Sequence, residues 1–291
     1  MKRTQIVTHV MPWEIGEYKN TIKVLSESKN FLESGDWISV YATLNLSEGL
    51  IDWQNSTLSK ELFIEKFKTI KQDCCWANEI LFQIVEDGSI LGTTAQKREA
   101  IKGMYDQFIF LDCDIAFSPT TLKYILEASY AVEGMYFISP ETVKLWDPTW
   151  DILTHDSFKV KNYGYEKLHD PKLTYNQDID SVSLKVLPGF KFGCGWFTLY
   201  SKSILDYIGI PEWLGAYGPE DTFLMYASQL AVNKGYDIKQ YVLEGLYVSE
   251  NYISRDTTYK DAVKSKDLKN KFRQLAESNF AIELEKFNNT L

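Results

Sequence analysis

Four consecutive large apolar residues, Phe108-Ile109-Phe110-Leu111, run straight into Asp112-Cys113-Asp114. A strand with one wet face alternates apolar and polar side chains. An unbroken apolar run is what a strand buried on both faces of a parallel sheet needs. Parallel neighbours cannot be joined by a tight turn, so each link must cross over, usually as a helix. The chain supplies such links. Strand signals stand at 5–10, 37–44 and 80–85. Between them lie helical signals at 18–32 (Ile22, Leu25 and Leu32 on one face), 59–71 (Leu62, Ile64, Phe67, Ile70) and 94–104. After the apolar strand, Ser118-Pro119 offers an N-cap and a first-turn proline to a helix with Leu122, Ile125 and Leu126 inward. The pattern β-α-β-α-β-α-β predicts a doubly wound α/β sheet with right-handed crossovers.

The second half is less regular. Residues 140–190 are rich in Trp, Tyr, Asp and Pro and poor in periodicity, which marks either a functional loop region or elements that the periodicity misreads. Strand alternation returns at 190–199, a short helix at 201–208 and a strand at 238–248. Gly218-Pro219 opens a stronger helix with Phe223, Leu224, Ala227 and Leu230, closed by Lys234-Gly235. The tail, 259–287, reads as one amphipathic helix or two.

The net charge of −9 argues against a large basic face for nucleic acid. It leaves room for a small anionic ligand, provided that a metal or a few placed cations help. Residues 260–273, with six Lys or Arg against Asp261 and Asp267, are either a solvated helix face or an anion contact. No run reaches the roughly 18 apolar residues of a membrane span, and the N-terminus does not read as a signal peptide. Cys74, Cys75, Cys113 and Cys194 form no C-x-x-C, and His9, His155 and His169 are scattered. A zinc site is not expected. Free thiols in a reducing compartment, the cytoplasm, are.

Four constellations carry chemistry. Asp112 and Asp114 follow a buried strand, and open α/β sheets bind ligands at the carboxyl ends of their strands. Two carboxylates there can hold Mg2+ or Mn2+ between themselves and a ligand's phosphates; the bland reading is two solvated acids in a loop. Glu220 and Asp221 stand at a helix start. The helix dipole alone would favour acids there, while the chemical reading makes Asp221 a general base and Glu220 the holder of an acceptor. Gly193-Cys194-Gly195-Trp196 combines close backbone approach with a ring for a sugar face, or is a bulge with a core Trp. In Gln96-Lys97-Arg98, Arg98 is a candidate bidentate phosphate ligand or an exposed helix cation.

Taken in order, these segments resemble the GT-A-fold nucleotide-sugar glycosyltransferases, especially the family-2 type. Residues 96–114 resemble that family's A-R-N-x-G … D-x-D stretch, with Arg98 on its Arg. Residues 193–221 resemble its G-G … E-D stretch, and Tyr217-Gly218-Pro219-Glu220-Asp221 is similar to the W-G-G-E-D of β-1,4-galactosyltransferases. The likeness covers about 4–250. It implies a Rossmann-like, mostly parallel sheet flanked by helices, with a C-terminal helical tail. Residues 1–117 would form a nucleotide-sugar half, 118–254 an acceptor and catalytic half, and 255–291 the tail. It implies Mn2+ or Mg2+ on Asp112 and Asp114, a UDP- or GDP-sugar donor, a glycan or other hydroxyl acceptor, and transfer by inversion with Asp221 as base. Thr8, His9, Asn45, Arg98, Cys113, Gly195 and Trp196 would line the donor. Residues 43–45 stand where the family has an Asp on uridine. No His follows His169, so Glu250, near the end of the last strand, takes the further metal position. Trp146, Trp150, Trp196 and Trp213 fall in or near the acceptor half as candidate sugar platforms.

Two rival readings remain. Haloacid-dehalogenase-type phosphatases also place D-x-D after an apolar strand, usually their first, whereas three strand signals precede this one. Their motif continues with Thr or Val where this chain has Ala116. The other rival is a sugar-binding protein on a glycosyltransferase scaffold without turnover.

Overall fold

The structure is a computed structural model and describes residues 2–48, 51, 53, 59–86, 92–113, 115–143, 182–187, 196–250 and 265–291. Strand β1 (Arg3–Val10) passes through a 3-10 turn (Pro12–Glu14) into helix α1 (Ile15–Ser28). Then follow β2 (Trp37–Asn45), α2 (Lys60–Asp73), β3 (Glu79–Val85), α3 (Thr93–Ala100) and β4 (Gln107–Leu111). The later elements are β5 (Ile115–Ala116), α4 (Thr121–Tyr130), β6 (Met135–Val143), β7 (Ser183–Val186), β8 (Phe197–Ser201) and α5 (Lys202–Ile208). A 3-10 turn (Glu212–Leu214), α6 (Glu220–Asn233), β9 (Ile238–Glu250) and a single tail helix, α7 (Ser265–Thr290), complete it.

The nine strands among the described residues join one sheet in the order β3-β2-β1-β4-β8-β6-β9-β5, with β7 also on β9. β3, β2, β1 and β4 are mutually parallel, and β6 is parallel to β9. β8 is the reversed strand between β4 and β6, and β5 and β7 run against β9. The mostly parallel α/β sheet expected from sequence is therefore present, with reversed strands in its second half.

Strand β4 shows why an apolar run belongs at the centre. Ile109 and Leu111 enter the core under α1, α2 and α4, with Tyr18, Ile22, Phe67 and Ile125. Phe108 and Phe110 enter the core on the other face, with Ile204, Leu205, Phe223 and Ala227 of α5 and α6. Period-two alternation divides one apolar strand between two cores. Helix α7 lays Ala276, Phe280, Leu284 and Phe287 against the second core.

Several sequence expectations shift. The helix expected at Pro119 starts at Thr121: the Ser118 hydroxyl accepts the Thr120 N–H (3.3 Å) and its carbonyl accepts the Thr121 N–H (2.9 Å), so Ser118 caps a turn before the helix. Helix α1 starts before residue 18, because the Pro12 turn, closed by Glu14 Oε2 on the Met11 N–H (3.1 Å), feeds it directly. Short β7 lies inside the stretch read as irregular, and strand β6 escapes the sequence reading because it contains Pro140. Its register with β9 shifts between Pro140 and Glu141, and a bulge is where a sheet tolerates proline. Opposite, Gly245 at φ 85° supplies the left-handed residue the bulged strand needs.

Candidate active site

Strand order turns back between β1 and β4, the pair flanking the crevice at their carboxyl ends. Asp112 is the first residue past β4. Its N–H bonds the Trp196 carbonyl (2.9 Å), carrying the β4–β8 ladder one step further, and its side chain is half-buried. Cys113 is buried. Its thiol donates to Glu14 Oε2 (3.4 Å), and its carbonyl accepts the Thr21 hydroxyl of α1 (2.8 Å). Cys113 is thus held from α1 and the turn before it. Asp114 lies outside the described residues, as do Gly193, Cys194 and Gly195, Trp146, Trp150, His155 and His169. Glu250 is described by its backbone: it is in register with Ile115, the residue after Asp114.

The ends of β1 and β2 form the neighbouring wall. Buried Thr8 offers its carbonyl to Gln96 Nε2 (2.8 Å). His9 Nδ1 lies 3.1 Å from Thr43 Oγ1, and its ring meets Tyr217 edge-on at 6.2 Å. Asn45 is buried, with Oδ1 accepting the Ser47 N–H (3.0 Å). In the position taken from the family's uridine contact, Asn45 thus also closes its own turn.

The other wall is the start of α6. The segment 214–218 is packed tightly enough that a Cβ on Gly218 would lie 2.3 Å from the Leu214 carbonyl oxygen. The Ala216 carbonyl accepts the Thr94 N–H (3.0 Å). Glu220 is buried with one oxygen on Lys97 Nζ (2.6 Å) and the other on the Thr94 hydroxyl (2.7 Å). Asp221 is half-buried, and its Oδ1 accepts the Thr222 N–H (2.7 Å).

The charges pull in opposite directions on the two acids. Burial pushes Glu220 upward, but the charge and hydrogen bond of Lys97 and the Thr94 hydroxyl prevail and hold it below the usual carboxylate range. Burial and then the adjacent Glu220 push Asp221 above its ordinary value, against the opposing pull of Lys97 and Thr222. Burial alone would lower Lys97. Glu220, then Asp112, then Asp221 raise it, so it stays a cation. Lys97 Nζ also sits 5.2 Å from the Phe110 ring centroid on β4.

Two sequence assignments need correction. Arg98 does not face the crevice as a phosphate ligand. Its Nε donates to the Ile210 carbonyl (2.8 Å) and its Nη2 to those of Pro211 (2.7 Å) and Gly215 (3.0 Å), because the 210–215 loop buries carbonyls that need donors. Trp213 is not a free sugar platform: it packs edge-on against Phe223 (5.5 Å) and Phe280 (5.9 Å). Trp196 is partly buried against the first core. Sequence reasoning passed over Lys97. Thr94 and Lys97 lie three apart on one helix face, but the carboxylate that they share, Glu220, arrives from a distant segment.

Among the described residues, no group of three or more His, Cys, Asp and Glu converges as a metal site, and Cys74, Cys75 and Cys113 are free thiols. No described helix is long and apolar enough to cross a membrane.

No family model matches the chain, and no curated protein does. Among solved structures it is similar to residues 1–349 of S. aureus TarS in complex with UDP-GlcNAc, at 12% identity and a TM-score of 0.45, covering 82% of this chain and 58% of that one. It is similar to the mannosyltransferase PcManGT from Pyrobaculum calidifontis in complex with GDP-Man and Mn2+, at 13% identity and 0.44, covering 83% and 56%. A mycobacterial protein gives 12% and 0.40, covering 89% and 69%. The chain thus spans less than two thirds of the length of the TarS and PcManGT chains it resembles.

Proposed function

We propose that this chain is a GT-A-type, family-2-like glycosyltransferase that moves a hexose from a UDP- or GDP-sugar to an acceptor hydroxyl on a glycan or another molecule, with inversion and with Mn2+ or Mg2+. One observation carries the reading: Lys97 of α3 bonds Glu220 at 2.6 Å and so ties the E-D turn of α6 to the sheet end where the strand order reverses and Asp112 follows β4.

Hard divalent cations take carboxylate oxygens at such strand ends. Asp112 fits in chemistry and exposure, and the backbone of Glu250 is in register with the residue after Asp114. We assign Asp112, Asp114 and Glu250 as the residues that would hold the cation, which when bound would offset charge on the departing diphosphate. We assign Thr8, His9, Asn45, Cys113, Gly195 and Trp196 to the donor side. Arg98 supports the 210–215 loop behind it. Asp221 takes the proton of the attacking hydroxyl, and its upward-shifted titration makes it a stronger base than a free Asp. Glu220 acts on Asp221 rather than on the acceptor. The free thiols fit a cytoplasmic setting.

The test is donor consumption and transfer with UDP- and GDP-sugars, with and without Mn2+. Asp221→Asn should lose roughly 10² or more in transfer. Donor binding, read by thermal shift, should hold; saturation at 100 times Kd stabilises by about 2.7 kcal/mol. Asp114→Ala should abolish the Mn2+-dependent part of that shift. Phosphate release from a phosphomonoester with no nucleotide sugar consumed would overturn the proposal. Full transfer by Asp221→Asn would point to a retaining reaction.

A further inference from the structure

Helix α3 does unusual work for its length. Three consecutive side chains secure three separate segments: Gln96 the end of β1 through the Thr8 carbonyl, Lys97 the start of α6 through Glu220, and Arg98 the 210–215 loop. The helix N-terminus adds a fourth tie, Thr94 N–H to the Ala216 carbonyl. A Cβ on Gly92 would lie 2.3 Å from that same carbonyl oxygen, so the approach is close. The lysine bonds the E-D pair directly, through Glu220 at 2.6 Å.

We infer that Lys97 is a positioning residue for Asp221: by neutralising Glu220 from α3 it fixes the first turn of α6 and leaves Asp221 ionised to receive the acceptor's proton. This rests on the reading of Asp221 as the base. The physical need is plain. Two adjacent carboxylates stand on one helix turn, Glu220 buried and Asp221 half-buried. The helix dipole offsets only part of the cost of burying an unpaired charge. Among the described residues, the charges acting on Asp221 are Glu220 on its own helix and Lys97 on α3. Asp112 acts on Lys97 from the end of β4. Arg98, on its own carbonyls, feels Glu212, Glu99 and Glu220. Lys97 therefore lowers Asp221 in two ways, by attracting it directly and by cancelling the repulsion from Glu220, while Glu220 by its own charge raises it.

Those effects yield opposite shifts in two variants. Lys97→Met leaves Glu220 facing Asp221 with no cation, so Asp221 should titrate about one unit or more higher. Glu220→Gln removes the repulsion and leaves Lys97 in place, so Asp221 should titrate lower. Lys97→Arg should restore the wild-type value. The readouts are two: the acid limb of kcat/KM against pH, and carboxyl carbon NMR of protein labelled at aspartate, with Asp221→Asn assigning the resonance. Circular dichroism checks the fold of each variant, and Glu220→Gln, in which Lys97 keeps Asp112 and Asp221 as acids acting on it, keeps the test open if Lys97→Met folds poorly. Opposed shifts with rescue by Arg carry the inference. Equal shifts, or none, overturn it, since a purely structural lysine would not move the two variants apart. If the wild type consumes no nucleotide sugar, the functional reading fails on its own, while the NMR titration still decides whether Lys97 governs Asp221.

Discussion

Removing Lys97 should be among the most destabilising single changes in the molecule, and the structure says why. The Lys97 and Glu220 side chains are 5% and 8% exposed and meet at 2.6 Å. Lys97→Met leaves the Glu220 carboxylate buried, with the Thr94 hydroxyl and the α6 N-terminus as its remaining partners. Stranding one member of a buried pair costs about 3–5 kcal/mol. The two remaining partners place this case near the lower end, about 3 kcal/mol, or roughly a 5 °C drop in Tm for a chain of this length. The double variant Lys97→Met/Glu220→Leu strands nothing and should recover to within about 1 kcal/mol of wild type, since apolar replacements of buried pairs are often neutral. Urea denaturation at pH 7, with m-values checked for constancy, completes the double-mutant cycle. The pH dependence has a definite sign. Glu220 titrates below its ordinary value of 4.5 in the folded wild type. Its contribution is present above the unfolded value and is lost as pH falls through the folded one. In Lys97→Met the stranded carboxylate can be relieved by protonation. The gap between variant and wild type should therefore narrow as pH falls towards 4. A cost under 1 kcal/mol at pH 7 with an unchanged m-value would refute the claim that this pair is desolvated and coupled.

Gly92→Ala should cost about 1–3 kcal/mol by overpacking, because its Cβ would lie 2.3 Å from a backbone oxygen and 2.6 Å from the Tyr217 ring; an unchanged melting curve would refute it. Arg98→Lys keeps the charge but not the fork that spans the Ile210, Pro211 and Gly215 carbonyls, so about 2 kcal/mol of stability should go with nucleotide Kd unchanged. A tenfold weaker nucleotide Kd would return Arg98 to the phosphates. Native iodoacetamide labelling, mapped by mass spectrometry, should reach exposed Cys75 well before its neighbour Cys74. Cys74 is buried, and burial pushes its thiol up to about 12; equal labelling would contradict this packing.

What the sequence determined by itself was whatever depends on neighbours along the chain. Phe108–Leu111 could only be a strand wet on neither face, and Gly218-Pro219 before an apolar-periodic run could only open a helix. That Asp112 and Asp221 stand at those two points was legible for the same reason: strand ends and helix starts are local events. Strand β6 was not, because Pro140 argues against a strand until a bulge opposite it is known, and the bulge belongs to β9, about a hundred residues later. Nor could sequence choose between Lys97 and Arg98. They are adjacent on one helix and equally charged, and their fates were decided by what the fold brings to each side of α3. Carbonyls of the 210–215 loop claim the planar guanidinium, and the buried carboxylate of Glu220, 123 residues away, claims the ammonium. Hydrophobic periodicity records which face a residue turns inward. Only the tertiary structure decides which charge it meets there, because the partner arrives from a distant segment and the cost of burying either one alone selects the pairing.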